Sequence, residues 1–525
     1  MSPFFIKVSH RGSIPSGLKS AAVLFSDNWD DFGFKTTFTL RFYDQLGKEL
    51  DVGNVKIGFK GQQQGWTSAN IPENFHNLDP TFYSLGQDPE YYKNFITHFQ
   101  PEEWKAILLA LGDVVFSAER LAIAEDDPAF NTSLMRNINK TTIDHQYKRI
   151  LDGLAPLTPF NFTFVKPRTE KFAELALNFA VQPNSKPSSN IHILIGRNGV
   201  GKTTILNNMV QALVAGQDNT LGNGYFVSKN AWFTQPLSSN EFAGVVSVSF
   251  SAFDTFEPPP NQDNADKGMR YRYVGLKKNV QSTQADEWPL KGKPELCAEL
   301  SKSLSICLAL HAKKARWIAA INKLESDYNF EEMNLLHLID KFEEDWSEDK
   351  SNFQSYSTSL FRLMSSGHTV VLLTITQLIE TVEERTLVLI DEPESHLHPP
   401  LLSALTRALA DLLTNRNAVA IIATHSPVVL QEVPRSCVSI IDRSRLEAAV
   451  APPEAETFGE NVGTLTRHVF GLQVINSGFH ELLHNEVKSG KSYEQIENEY
   501  SDQIGYEGKA LLRSLTIARD KGLEY

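Results

Sequence analysis

At 525 residues the chain is long enough for about three or four folding units, and its 41% hydrophobic and 22% charged residues exclude a mostly disordered or fibrous polymer. The formal net charge of -13 repels phosphate, so binding to nucleic acid would need a local basic patch or a basic partner. No apolar run reaches the roughly 18 residues that cross a bilayer, the N-terminus lacks the order of a secretory signal, and Cys297, Cys307 and Cys437 lack metal-ligand spacing; the expectation is a cytoplasmic protein with no membrane span, disulfide or zinc site.

The segment from Ala21 to Gln62 alternates as antiparallel strands do, most clearly over 34–42 and 55–59. From about Pro72 to Leu151 helix formers dominate, with Trp104, Ile107, Leu108 and Leu111 spaced for one helix face. Strand patterns return at 160–164 and 175–181, and a polar loop follows over 182–190. Three short apolar runs, 191–195, 387–390 and 419–423, read as strands buried on both faces of a parallel sheet. Between the first two, Leu296, Leu300, Leu304 and Leu308 recur every four residues and predict a helical subdomain. A linker rich in Ala, Pro and Glu is expected over 447–456, with helices beyond it.

The division expected from this pattern is threefold. Residues 1–182 form a strand-rich lobe with a helical insert at about 72–155. Residues 183–445 form the core, with a helical insert at about 290–350. Residues 446–525 form a C-terminal helical region suited to docking a partner. The fold class is α/β.

Gly196-Arg197-Asn198-Gly199-Val200-Gly201-Lys202-Thr203 fits G-x-x-x-x-G-K-[ST], directly after a buried strand and before an apolar helix. Glycines let the backbone N–H groups wrap a phosphate, and the following helix points its positive dipole end at the same oxygens. Lys202 is expected to bridge the β- and γ-phosphates of ATP, Thr203 to ligate Mg²⁺, and Thr204 to reach the α-phosphate. The strand over 386–391 ends in Asp391 and Glu392, the first expected to hold Mg²⁺ and the second to orient or deprotonate the attacking water.

Joined to these motifs, four further segments resemble the ABC superfamily, specifically its soluble SMC-, RecF- and OLD-like branch. Leu363-Met-Ser-Ser-Gly-His368 is similar to a degenerate signature motif, and the resemblance implies that Ser366 and Gly367 reach the γ-phosphate bound to a second copy. Ser395-His-Leu-His-Pro399 resembles the D-loop region, and His425 in Ala423-Thr-His-Ser-Pro427 stands at the place of the switch histidine. The strand over 245–254 occupies the Q-loop position without a glutamine, leaving Ser251 or Asp254 as substitutes. A zinc cluster of His396, His398 and His425 is the alternative reading of those histidines. The implied fold is an ABC-type P-loop ATPase head with an antiparallel β lobe, helical inserts and a C-terminal helical region.

Nearly the whole chain resembles the PtuA family, the ATPase subunits of Septu-type and retron-associated antiphage systems, on Phe82-Tyr-Ser-Leu-Gly-Gln-Asp88 with Tyr91-Tyr92, on Glu456-Thr-Phe-Gly-Glu-Asn-Val-Gly463 and on Ser477-Gly-Phe-His-Glu-Leu-Leu483. That resemblance implies a homodimer or higher homo-oligomer that controls an HNH-type nuclease subunit, in some systems with a reverse transcriptase and its DNA. A DNA-repair ATPase of the RecF/SMC kind is the alternative. An OLD-type ATPase-nuclease is disfavoured, because fewer than about 85 residues follow Asp442 and they hold no Asp-x-Asp. The basic segment Arg270–Lys278 reads as a solvated strand face of the antiparallel lobe or as a nucleic-acid contact, and Lys313, Lys314 and Arg316 as a solvated helix face or as a contact with DNA or RNA. Phe470, Leu472, Phe479, Leu482 and Leu483 are the expected partner anchors.

Overall fold

The computed structural model describes residues 3–9, 12–136, 138, 140, 142–152, 159–170, 172–183, 185–214, 223–229, 234–237, 241–251, 256–263, 268–278, 289–347, 350–395, 397–444, 447–470 and 478–522. Asp254, His396 and Leu472, and the side chain of Phe470, lie outside them. Among the described residues no helix is long and apolar enough to cross a membrane.

The N-terminal lobe is a six-stranded sheet built from β1 (Phe5–Val8), β2 (Ala21–Ser26), β3 (Thr37–Tyr43), β4 (Glu49–Phe59), β5 (Asn74–Phe75) and β6 (Phe82–Gly86), in the order β5-β1-β2-β3-β4-β6. The alternating residues put Leu24, Phe38, Leu40, Val55 and Ile57 into one core, which α1 (Pro89–His98) and α2 (Pro101–Leu111) cover with Tyr91, Tyr92, Phe95, Trp104 and Leu108. The expected helical insert therefore begins as strand: β5 and β6 pair with β1 and β4 before the first helix starts at Pro89.

Two further sheets make up the core. β7 (Phe160–Lys166) and β8 (Leu175–Val181) form a hairpin whose phenylalanines alternate inward. It is joined by β10 (Tyr225–Lys229) and β11 (Thr234–Pro236) in the order β8-β7-β10-β11. β7 and β8, expected in the first lobe, thus belong to a sheet in which β7 pairs with a strand well beyond residue 182, and they share a hydrophobic core with the phosphate-loop helix α3 (Lys202–Val214). The other sheet has seven strands: β9 (Ile191–Ile195), β12 (Gly244–Ser249), β13 (Arg270–Gly275), β14 (Thr386–Asp391), β15 (Val419–Thr424), β16 (Val438–Ser444) and β17 (Glu447–Ala451). Their order is β13-β12-β14-β15-β9-β16-β17, parallel except for β17. The three apolar runs are its central strands, buried at every position as strands covered on both faces must be. Part of the expected linker is β17, paired antiparallel to β16.

The helical subdomain comprises α4 (Lys293–Ala309), α5 (His311–Leu324), α6 (Tyr328–Met333), α7 (His337–Glu344), α8 (Ser351–Leu363) and α9 (Ser366–Thr381). Its leucine repeat packs Leu296, Leu300, Leu304 and Leu308 against Trp317, Ile321 and the apolar face of α9. α10 (Pro399–Asn415) closes the same core. At the C-terminus α11 (Val462–Phe470) inserts Leu465 into that main core, whereas α12 (Gly478–Lys488), α13 (Tyr493–Glu499) and α14 (Tyr506–Asp520) gather around Leu483, Val487, Ile496 and Leu512 in a small core of their own.

Candidate ATPase site

Three neighbouring parallel strands, β14, β15 and β9, end side by side, and the chemistry-bearing residues follow their C-terminal ends, where ligands bind in open α/β sheets. After β9 the chain turns through Gly196 to Gly201 into α3. A β-carbon on Gly196 would stand 2.3 Å from the carbonyl oxygen of Ile441. Gly201 has φ +97°, and a β-carbon there would lie 2.8 Å from the ring of Phe172. No other residue type fits either position without displacing its neighbour. The Lys202 ammonium donates to the carbonyls of Gly196 (2.9 Å) and Arg197 (3.2 Å). Burial holds the Lys202 pKa below the usual lysine value, against the opposing pull of Glu392, Asp391 and Glu394. Thr203 is half-buried and Thr204 exposed at the start of α3.

Asp391 is the last residue of β14, buried, and pairs across the sheet with Ser249 on one side and Ala423 on the other. Glu392 follows with φ +45°, a left-handed conformation that a residue with a β-carbon adopts at a cost of order 1–3 kcal/mol. Its amide donates to Ala423 (2.9 Å), so the turn is pinned to the neighbouring strand and the Glu392 side chain emerges a third exposed. Glu394, two residues on, carries a role that sequence reading missed. Its Oε1 accepts from the Thr424 hydroxyl (2.6 Å) and the His425 amide (2.8 Å), and lies 3.1 Å from His425 Nδ1. His425 Nδ1 is 3.6 Å from Glu392 Oε1. The structure thus gathers Lys202, Asp391, Glu392 and His425 around one strand edge, with Glu394 as the bracket. The Asp-Glu-Pro-Glu run shows a third acid, but its partner lies about thirty residues away in sequence and left no local signal.

Ser366 and Gly367 open α9. Ser365 is the N-cap and accepts from the His368 amide; both Ser365 and Ser366 are exposed, and the neighbouring Leu363 is 85% exposed. His398 pairs with Asp327 and His425 with Glu394, and among the described residues no group of three or more His, Cys, Asp or Glu could hold a metal ion. Ser251 is described and half-buried, beyond the end of β12.

Both basic segments prove to be structural. Arg270–Gly275 is the edge strand of the parallel sheet and not part of an antiparallel lobe. Tyr271, Tyr273 and Lys277 are buried, Arg270 donates to the carbonyls of Met135 and Ile138, and Arg272 pairs with Asp263, so no row of tyrosines faces solvent for bases to stack on. Lys313 is 3% exposed and pairs with Glu383, and Arg316 pairs with Asp88 of the N-terminal lobe. Of the expected partner anchors, Leu483 is 3% exposed within the tail's own core, while Phe479 and Leu482 are exposed.

Residues 323–431, which include Ser366, Asp391, Glu392 and His425, match the family model described as "AAA domain, putative AbiEii toxin, Type IV TA system". Protein ea59 of Escherichia phage lambda is 44% identical over 534 residues, covering 99% of this chain and 99% of that protein. The chain belongs to the ea59 family. Solved structures similar to this ea59-family chain include an ATP-binding cassette of an ABC transporter in its ADP conformation, 13% identical with a TM-score of 0.28, covering 60% of this chain and 98% of the other. The SMC head domain from Thermotoga maritima is 12% identical with a TM-score of 0.27, covering 56% and 100%. The phosphate loop, the acidic strand end and the family match together make this member of the ea59 family a protein with a P-loop ATPase domain that binds ATP.

Proposed function

We propose that the chain hydrolyses ATP with Mg²⁺ in a site shared between two copies, and that the resulting opening and closing controls a bound effector. The observation that carries this reading is the convergence of Lys202, Asp391 and Glu392 at adjoining strand ends, with His425 fixed beside Glu392 by Glu394. The oxygen donors of Thr203 and Asp391 suit a hard divalent cation such as Mg²⁺, which would offset phosphate charge there. Lys202 neutralises the terminal phosphates in both ground and transition states. Glu392 accepts the proton of the attacking water or aligns it, and the strained turn that presents it keeps the carboxylate at the mouth of the site. His425, held at its amide and near its ring by Glu394, offers an N–H to the phosphate oxygens.

A phosphate loop leaves the γ-phosphate open on one side, and the exposed N-terminus of α9 is the element suited to cover it from a second copy. The biological setting we infer is antiphage defence, with an HNH-type nuclease as the effector and, in some systems, a reverse transcriptase and its DNA. The name of the matching family model supports a defence role, and the exposed Phe479 and Leu482 on α12 support a docking surface. Glu392→Gln in full-length protein tests the chemistry: it should bind ATP, form dimers on a sizing column in ATP and Mg²⁺, and release no phosphate. Undiminished phosphate release would remove Glu392 from its role.

A further inference from the structure

We propose that Asp327 is a positioning residue for this reaction, anchoring through two histidines both the Ser365 hydroxyl at the head of α9 and the segment that follows Glu392. The inference rests on the shared-site reading above. Asp327 lies in the turn before α6 and caps that helix, Oδ1 accepting from the amides of Asn329 (3.0 Å) and Phe330 (3.2 Å). The same carboxylate faces two imidazoles. His368 Nε2 is 3.3 Å from Oδ1, and His398 Nε2 is 2.9 Å from Oδ2. On the far side of the His368 ring, Nδ1 is 2.5 Å from Ser365 Oγ, and the edge-on ring of Phe330, 5.0 Å away, fixes the imidazole between its two partners.

The chain Asp327–His368–Ser365 sets what the hydroxyl does. With Nε2–H donating to Asp327, a neutral His368 presents Nδ1 as an acceptor, and the Ser365 proton is spent on it. That bond fixes the Ser365 side chain at the exposed first turn of α9, whose leading backbone N–H groups suit an anion such as a γ-phosphate. Burial raises the pKa of Asp327, but the hydrogen bonds from His368 and the Phe330 amide, with the two histidines, outweigh it and keep the carboxylate charged. His398 is the N-cap residue of α10, six positions beyond Glu392, so one carboxylate ties the head of α9 to the segment that leaves the acidic strand end.

The test is a double-mutant cycle on steady-state ATP turnover by the full chain. Asp327→Asn keeps the shape and the helix cap but removes the charge. It should lower kcat about tenfold, the effect expected when a charge-assisted hydrogen bond is lost, with KM for ATP within about twofold. Ser365→Ala should lower kcat through the His368 arm, and Asp327→Asn added to Ser365→Ala should cost no more than His398→Gln costs alone. His398→Gln, which leaves the cap and Ser365 untouched, should also lower kcat with little change in KM. Losses that multiply in the double mutant, or wild-type kcat in Asp327→Asn, overturn the proposal while leaving the shared site standing if Ser365→Ala is impaired. Wild-type turnover by Ser365→Ala overturns the proposal, and the shared site is then judged by Ser366→Arg, which should bind ATP without hydrolysing it.

Discussion

Glu392 and Glu394 flank one proline, yet they do different work. The first is presented by a left-handed turn and stands a third exposed, where water can reach it; the second is spent on holding Thr424 and His425. Glu392→Gln should therefore lower kcat by about 10²- to 10⁴-fold, the usual worth of a general base, without weakening ATP binding. Lys202→Ala should weaken ATP binding itself, because its charge acts on the ground state as well. Glu394→Gln should keep ATP affinity but lower kcat, since a glutamine offers one acceptor where three groups converge; a fluorescent-nucleotide titration beside a phosphate-release assay separates the two effects. At this scale the sequence was informative wherever chemistry needs a fixed spacing, as in Gly196–Thr203 and the Asp391-Glu392 pair. It was silent on Glu394 and Asp327, whose partners are brought in by the sheet and by the helical subdomain.

Between elements, ion pairs join the N-terminal lobe to the core beside hydrogen bonds such as those from Arg270 to Met135 and Ile138. Asp88, the N-cap of α1, pairs with Arg316 on α5 and with Arg416 beyond α10, and Arg416, 1% exposed, also pairs with Glu383. Removing one partner from such a network leaves a buried charge uncompensated, so Asp88→Ala should cost about 3–5 kcal/mol and separate the melting of the two units in a calorimeter. Glu384, beside this network, is pushed up to about 7 by burial. The folded state then holds a proton that the unfolded chain releases above about pH 4.5, so the stabilisation is complete below that value and is lost as pH rises through about 7. Glu384→Gln should flatten the fall of the melting temperature across that window. Periodicity revealed the central strands and the leucine helices, because burial on both faces or on one stripe leaves a pattern. It put β13 in the wrong sheet and missed β17 and the first part of the helical insert. Edge strands, and strands completed by distant pairing, follow no period that separates them from a loop or a lobe face. The lysines of α5 misled for a related reason: a cation in a buried pair looks the same in sequence as a solvated one.

Across the whole molecule, the tail divides at α11. Leu465 belongs to the main core, so a truncation from residue 458 would damage the ATPase unit, whereas removing residues 478–522 takes away helices with their own core. That shorter truncation should leave ATP turnover largely intact and abolish co-purification of an HNH-type nuclease partner. The shared ATP site is the central claim, and mixing two inactive variants tests it most directly. Lys202→Ala spoils the phosphate loop of its own copy, and Ser366→Arg spoils the signature segment it lends to its partner. In a mixed dimer one site keeps an intact loop and an intact signature. Equal mixing of the two should restore roughly a quarter of wild-type phosphate release, since half the dimers are mixed and each holds one good site. A mixture as inactive as either variant alone would contradict the shared site.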